Sequence, residues 1–417
     1  MTDAVCIVEA EYGGPLPDVP WVARDGRPYA RAAVAVRVHG ILVGVADLAV
    51  GHGEMDAAEL VARACEELGG EIEAHLAADG DSERPRCQTE LARLRGRAPF
   101  ASVIVATRDG EETLGPCLDS LLRLDYGDYE VIVVDSAPRG DGVRALVDER
   151  YGHDPRVSYV REERPGVAMA HNAALEHAAG SILAFTDDDV VADPLWLARI
   201  AHAFEASPRV GCVTGLILPL ELESQAQVWI DDYWGFGKGF ERHVFDGRRP
   251  AGQPLYPYTA GVFGSGANMA FTADALRDVG GFDPALGTGS PALGGDDLAA
   301  FFDVIAAGYQ LVYEPTAVVR HRHRPDYASL RTQAYGYGVG LAAFVTKTLV
   351  DDPRRVFEVL ARAPRAVAYL VRPDSAKNAR RPASLPGELI RLERRGMAFG
   401  ALAYVRSRRR MRLEGAS

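Results

Sequence analysis

The chain has 417 residues, 47% of them apolar, which allows two or three domains with sizeable cores. Its formal charge of −12 argues against a nucleic-acid partner, and no uncharged apolar run reaches the roughly 18 residues that span a bilayer. The charge is uneven: residues 351–417 carry 16 Lys/Arg and 7 Asp/Glu, a net of +9, leaving −21 on the rest. Such a basic end suits an anionic partner such as a membrane surface, and equally a solvated helical face. The five cysteines are scattered and form no CxxC pair, which argues for reduced thiols and against a disulfide framework or a zinc site. Acids occupy the N-terminus where a signal peptide would be basic, so a cytoplasmic location is expected.

Residues 1–97 are expected to form a small α+β domain. Tyr29 to Val50 holds two β-rich runs around His39-Gly40 and reads as a hairpin. A helical pattern then runs to Gly80, a polar loop covers Asp79 to Arg86, and a charged helix covers Glu90 to Arg97. From Phe100 strands and helices alternate. ASVIVAT, VIVVD, VSYV, ILAFT and VGCVTG are the strands, with apolar residues at helical spacing between them. Gly180 is expected to cap the helix carrying Val167, Ala170, Ala174 and Ala178, and Asp193-Pro194 to open the next. This alternation predicts a Rossmann-like, mostly parallel sheet over residues 98–330. From about Ser329 the chain reads as helical, interrupted by Pro353, Pro364, Pro373, Pro382 and Pro386, so residues 331–417 form a basic helical extension.

Ligands of such sheets bind beyond the C-terminal strand edge. That places Thr107-Arg108-Asp109, Asp135 and the triplet Asp187-Asp188-Asp189 together. Adjacent carboxylates repel unless a cation lies among them, and a hard Mg2+ or Mn2+ suits oxygen ligands and brings phosphates with it. The bland alternative, a helix cap with solvated neighbours, is weakened because Asp193 already suits the cap. Asp135 could accept hydrogen bonds from a nucleobase or ribose. Asp296-Asp297 follows two glycines and opens a helix, which suits either the helix dipole or a general base. In RHRHR, His321 or His323 could ligate the metal and the arginines could meet phosphate; a plain basic turn is the competing reading.

These motifs, in this order, resemble family 2 glycosyltransferases of the GT-A type over about Phe100 to Tyr337. ASVIVATRDGEETL resembles the opening strand and nucleotide loop, VIVVDSAP the strand with the base-binding Asp, and RPGVAMAHNAALEHAAGSILAFTDDD the segment ending in the DxD-like motif. FGSGANMAFTADALRDVGGFDPALGTG resembles the acceptor side, and GGDD the motif of the catalytic base. The resemblance implies that Thr107, Arg108, Asp109, Asp135, Arg164, His171, Asp187 and Asp188 line the nucleotide sugar. Asp187 and Asp189, with His321 or His323, would hold a divalent metal. Asp297 would deprotonate the acceptor hydroxyl beside Asp296, and Trp234, Gly266 and Asn268 would shape the acceptor side. His171 departs from the family's usual Arg, and Asp296 from its Glu. The expected activity is metal-dependent, inverting sugar transfer from a nucleoside-diphosphate sugar, with a lipid-linked or polysaccharide acceptor and contact with the inner membrane face as options. A noncatalytic nucleotide-sugar or lipid-binding protein is the competing class, followed by a sugar nucleotidyltransferase, whose Gly-rich phosphate loop TRDGEETL lacks.

Overall fold

A computed structural model describes residues 4–51, 55–80, 85–95, 98–379 and 381–414. In the N-terminal unit, strands β1 (Val5–Glu11), β2 (Arg31–Val38) and β3 (Ile41–Ala49) form a sheet in that order. β1 runs parallel to β2, and β2 antiparallel to β3. The hairpin turn is His39-Gly40, both at positive φ (54° and 80°), as tight hairpin turns require. The single helix expected next is two, α1 (Ala57–Glu67) and α2 (Gly69–Asp79), because the chain breaks at Leu68 ahead of a Gly-Gly pair. α3 (Arg86–Arg95) follows; part of the expected polar loop, residues 81–84, lies outside the described residues.

The second unit runs β4 (Ala101–Thr107), α4 (Glu111–Leu121), β5 (Tyr129–Ser136), α5 (Gly142–Arg150), β6 (Val157–Glu162), α6 (Val167–Leu175) and β7 (Ile182–Asp187). β8 (Val190–Ala192), α7 (Trp196–Phe204), β9 (Val210–Pro219), α8 (Gln225–Trp234) and β10 (His243–Phe245) come next. Then follow β11 (Met269–Thr272), α9 (Ala273–Asp278), α10 (Asp296–Ala306) and β12 (Gln310–His321). The sheet order is β10-β12-β9-β11-β7-β4-β5-β6, with β8 paired to β12. β7, β4, β5 and β6 are parallel, as the alternation predicts. The other half is mixed, because β11 inserts antiparallel between β7 and β9. One apolar layer packs Leu114, Leu118, Val147, Trp196 and Ile200 against one sheet face. The other packs Ala170, Ala174, Phe301, Phe344 and Tyr404 against the opposite face.

Two expected helix boundaries are displaced. α6 ends at Glu176, before Gly180, and Gly180 instead lies against the Ser102 backbone, where a Cβ would collide. Asp193 stands two residues ahead of the α7 cap position, its Oδ1 accepting from Leu195 N at 2.9 Å while its Oδ2 pairs with Arg37 at 2.5 Å.

The C-terminal extension holds α11 (Tyr327–Asp351), α12 (Arg355–Val371) and α13 (Gly387–Glu414). Pro364 lies inside α12 instead of interrupting it. α11 and α13 approach through glycines: Cβ atoms on Gly338 or Gly396 would strike the other helix's backbone, and one on Gly400 would come 2.5 Å from Val339 O. Tyr337 to Val345, an apolar run too short to span a bilayer, is packed between α13 and the sheet domain, with Val339, Ala343 and Phe344 fully buried.

Candidate active site

The C-terminal ends of β4, β5 and β7 meet the end of β12 and the start of α10. At the β7 end the acidic triplet divides by direction, Asp187 ending the strand and Asp188 and Asp189 forming the turn into β8. Asp188 turns toward β4, where its Oδ2 accepts from the Thr107 hydroxyl. Asp187 and Asp189 face His321, the last residue of β12. His321 Nε2 lies 3.3 Å from Asp189 Oδ1 and 4.0 Å from Asp187 Oδ2. One donor atom from each of the three lies within 4.8 Å of the others.

The electrostatics of this trio call for a cation. Burial, then Asp189 and Asp188, holds the Asp187 carboxyl well above its usual range. Burial pushes Asp188 and Asp189 up to about 6 each, against the opposing charge of Arg324. His321 is pushed down to about 3 by burial and by His323, so its imidazole is neutral and able to ligate. Asp189 Oδ1 is buried without a hydrogen-bond partner. Two carboxylates, a neutral imidazole and an orphaned oxygen fit a divalent metal.

His323, the alternative ligand, is outside the trio. Its Nδ1 is 3.3 Å from His321 Nδ1 and its Nε2 is 3.4 Å from Asp231 Oδ1. It therefore orients His321 from behind, a position that sequence spacing could not separate from direct ligation.

Asp297 closes the site from α10. Its Oδ2 accepts from Gly266 N at 3.0 Å and its Oδ1 from Leu298 N at 2.8 Å. Burial raises its pKa nonetheless, and pushes buried Asp296 up to about 7, with Asp297 adding repulsion. The charges of both acids reach Asp187 and add to the rise of its pKa. Gly295, in the left-handed region at φ 86°, sets the entry of α10.

The other expected residues divide. Asp135 is fully buried; its Oδ2 accepts from Tyr159 at 2.9 Å and its Oδ1 has no partner, which leaves an acceptor for a base or ribose. Asp109, at φ 52°, accepts from Arg139 N and Nε at 3.1 and 2.8 Å, and these bonds hold its carboxyl below the usual range. Arg108 is half-exposed beside it. Glu162 clamps Arg164 at 2.8 and 2.7 Å.

Two expected site residues lie in the core. His171 has its ring 5.0 Å from Phe185 and 4.8 Å from Phe282, and burial drives its pKa down to about 3. Asn268 is fully buried and structural: it donates to Leu216 O and Ala317 O at 2.9 Å and accepts from Trp196 Nε1 at 2.8 Å.

Trp234 packs on Tyr337 (ring centroids 6.2 Å apart) and donates to Glu393. Sequence reasoning missed Tyr337 and Lys238. Tyr337 feels the charges of Asp297 and Asp187, and Lys238 that of Asp297. Lys238 sits in the aromatic, Gly-rich stretch WGFGKGF, whose composition marks a loop without saying where it folds back.

Residues 102–243 match the Glycosyl transferase family 2 model and residues 182–373 the Glycosyl transferase family group 2 model. Both matches place the sheet and its acidic edge among the glycosyltransferases. The chain belongs to glycosyltransferase family 2. It is 25% identical over 193 residues to the glucosyl-dolichyl phosphate glucuronosyltransferase of Haloferax volcanii, covering 45% of this chain and 56% of that one. It is 28% identical over 251 residues to the pre-mycofactocin glycosyltransferase of Mycobacterium tuberculosis, covering 59% and 47%. The chain thus spans about half the length of these relatives. Among solved structures, a mannosyltransferase from Pyrobaculum calidifontis in complex with GDP-Man and Mn2+ aligns with TM-score 0.43 and 19% identity, over 83% of this chain and 84% of that one.

Proposed function

We propose that the chain is an inverting GT-A-type glycosyltransferase that moves a sugar from a nucleoside-diphosphate donor to an acceptor hydroxyl. The observation that carries this reading is the trio of Asp187, Asp189 and His321, whose donor atoms lie within 4.8 Å of one another, with the charge of Asp297 reaching Asp187. Asp187, Asp189 and His321 would hold a divalent cation, which when bound supplies positive charge against a diphosphate leaving group. Asp135 binds the base or ribose through its unpartnered oxygen, and Arg324 adds positive charge beside the triplet. Asp297 takes the proton of the acceptor hydroxyl as that oxygen attacks the anomeric carbon opposite the leaving group. Two backbone N–H groups fix its carboxylate, while Asp296, uncharged over more of the pH range, limits repulsion. Residues 98–330 form the transferase unit in this reading, with 1–97 and 331–417 as supports.

The exposed edge of α12 supports contact with an anionic membrane. Phe357, Leu360, Val367 and Val371 are 77, 63, 59 and 54% exposed along one stripe, next to exposed Arg354 and Arg365.

The first test is a thermal-shift and turnover panel of UDP-, GDP- and dTDP-sugars with Mn2+, Mg2+ or chelator. One donor should stabilise the protein only with metal and slowly release its nucleoside diphosphate; at a hundredfold over Kd the gain is about 2.7 kcal/mol. Asp189→Asn should lose the metal-dependent gain. Asp297→Asn should keep donor binding and lose transfer. Normal turnover by Asp297→Asn would remove the base assignment, and no response to any donor would remove the diphosphate site.

A further inference from the structure

A second set of metal-ligating groups lies in the N-terminal unit. His39 is in the β2–β3 turn, His75 and Asp79 are one turn apart on α2, and Cys87 is in the first turn of α3. Their donor atoms lie within 4.8 Å of one another. Asp79 Oδ2 is the hub, 2.7 Å from His39 Nδ1, 3.2 Å from His75 Nε2 and 3.0 Å from Cys87 Sγ. Sγ and His39 Nδ1 are 3.9 Å apart.

A hydrogen-bond network alone accounts poorly for this packing. His39 Nδ1 and Cys87 Sγ already use the two lone pairs of Asp79 Oδ2, and His75 Nε2 is pressed against the same oxygen. The other oxygen is taken by Cys87 N at 2.9 Å. His75 Nε2 is buried and points at Asp79 Oδ2 from 3.2 Å without hydrogen-bond geometry, so this buried nitrogen stays unsatisfied by the network. Tetrahedral zinc with ordinary Zn–N and Zn–S bonds places its ligand atoms about 3.3–3.6 Å apart, and the separations here, 2.7, 3.0, 3.2 and 3.9 Å, lie on both sides of that range.

We propose that His39, His75, Asp79 and Cys87 form a zinc site that fastens the hairpin turn to α2 and α3. A thiolate and two imidazoles select Zn2+ over the hard Mg2+ or Mn2+ suited to the oxygen-rich trio at the sheet edge. With four protein ligands the site is closed, hence structural. Binding breaks the Cys87 S–H bond, forms a Zn–S bond and releases the proton to solvent, with no change of oxidation state. The charge of buried Arg199 on α7 favours both the thiolate and a neutral His75. The two anionic ligands offset the zinc charge beside that arginine. The scattered cysteines exclude a CxxC-type site, but this one draws a single cysteine and three other ligands from separate elements. It stands where α3 meets the sheet domain, with Arg93 paired to Glu205 beyond α7 at 2.8 Å.

The experiment uses the full chain, purified without chelator or added metal, and measures metal content by mass spectrometry and Co2+ substitution by absorption. The parent and Asp189→Asn should each hold about one zinc per chain, and Cys87→Ser and His75→Ala less than about a tenth of that. The cobalt form of the parent should show a thiolate-to-cobalt charge-transfer band, absent from Cys87→Ser. Should the variants fail to fold, the parent's cobalt spectrum decides by itself. Equal zinc in parent and Cys87→Ser, or cobalt binding without a thiolate band, would overturn the site.

Discussion

Asp187, Asp188 and Asp189 show how much one residue step decides. The outer pair shares a histidine, while the middle acid ties β7 to β4 through Thr107. The outer pair was legible through the resemblance to the DxD-like motif, at the end of a run that reads as a buried strand. The middle role depends on the facing strand, which no local pattern names. The core positions of His171 and Asn268 were hidden for the same reason: a polar residue inside a motif looks functional until its surroundings are known. Asp296 carries a pH prediction. Its folded pKa, about 7, lies above the ordinary 3.8, so its stability contribution is full below pH 3.8 and is lost as pH rises through 7. Asp296→Asn never charges, so urea unfolding should show it gaining on the parent between pH 5 and pH 8, by on the order of a few kcal/mol. A constant difference across that range would show that Asp296 is charged throughout.

Among the elements, the parallel half of the sheet was readable because each strand is an apolar run set off by helical spacing. β11 was not: four residues wedged antiparallel between β7 and β9 give too short a pattern. β1 also escaped notice, although its burial alternates along much of its length. The wedge rests on Asn268 just before β11, which joins Leu216 of β9, Ala317 of β12 and Trp196 of α7. Asn268→Ala strands an indole N–H and two carbonyls in the core and should cost about 3 kcal/mol. Chemical denaturation would measure this, and a cost below about 1 kcal/mol would mean that water or neighbours take over those bonds.

At the scale of the whole molecule, the extension was readable as helical and basic, but not which of its helices packs inward and which stays exposed. The glycine-rich run of α11, apolar enough to suggest a lipid surface, is small-residue packing against α13. The exposed apolar stripe is instead on α12, which has no buried residue among those described. In flotation at moderate salt, the chain should rise with vesicles containing anionic lipid and stay down with neutral ones; Phe357→Asp with Leu360→Asp should abolish flotation. Equal flotation by the double variant would move the contact elsewhere. The glycine contacts also continue past α13. A Cβ on Gly340 would come 2.9 Å from Gly294 C, and one on Gly295 2.5 Å from Gly340 O, immediately ahead of Asp296 and Asp297. In the proposed reaction the tail would act as a gauge block, setting where Asp297 stands by the thickness of two bare backbones. Widening that block at Gly396 with valine should lower kcat while leaving donor affinity unchanged, so a residue that touches no substrate would tune the chemical step.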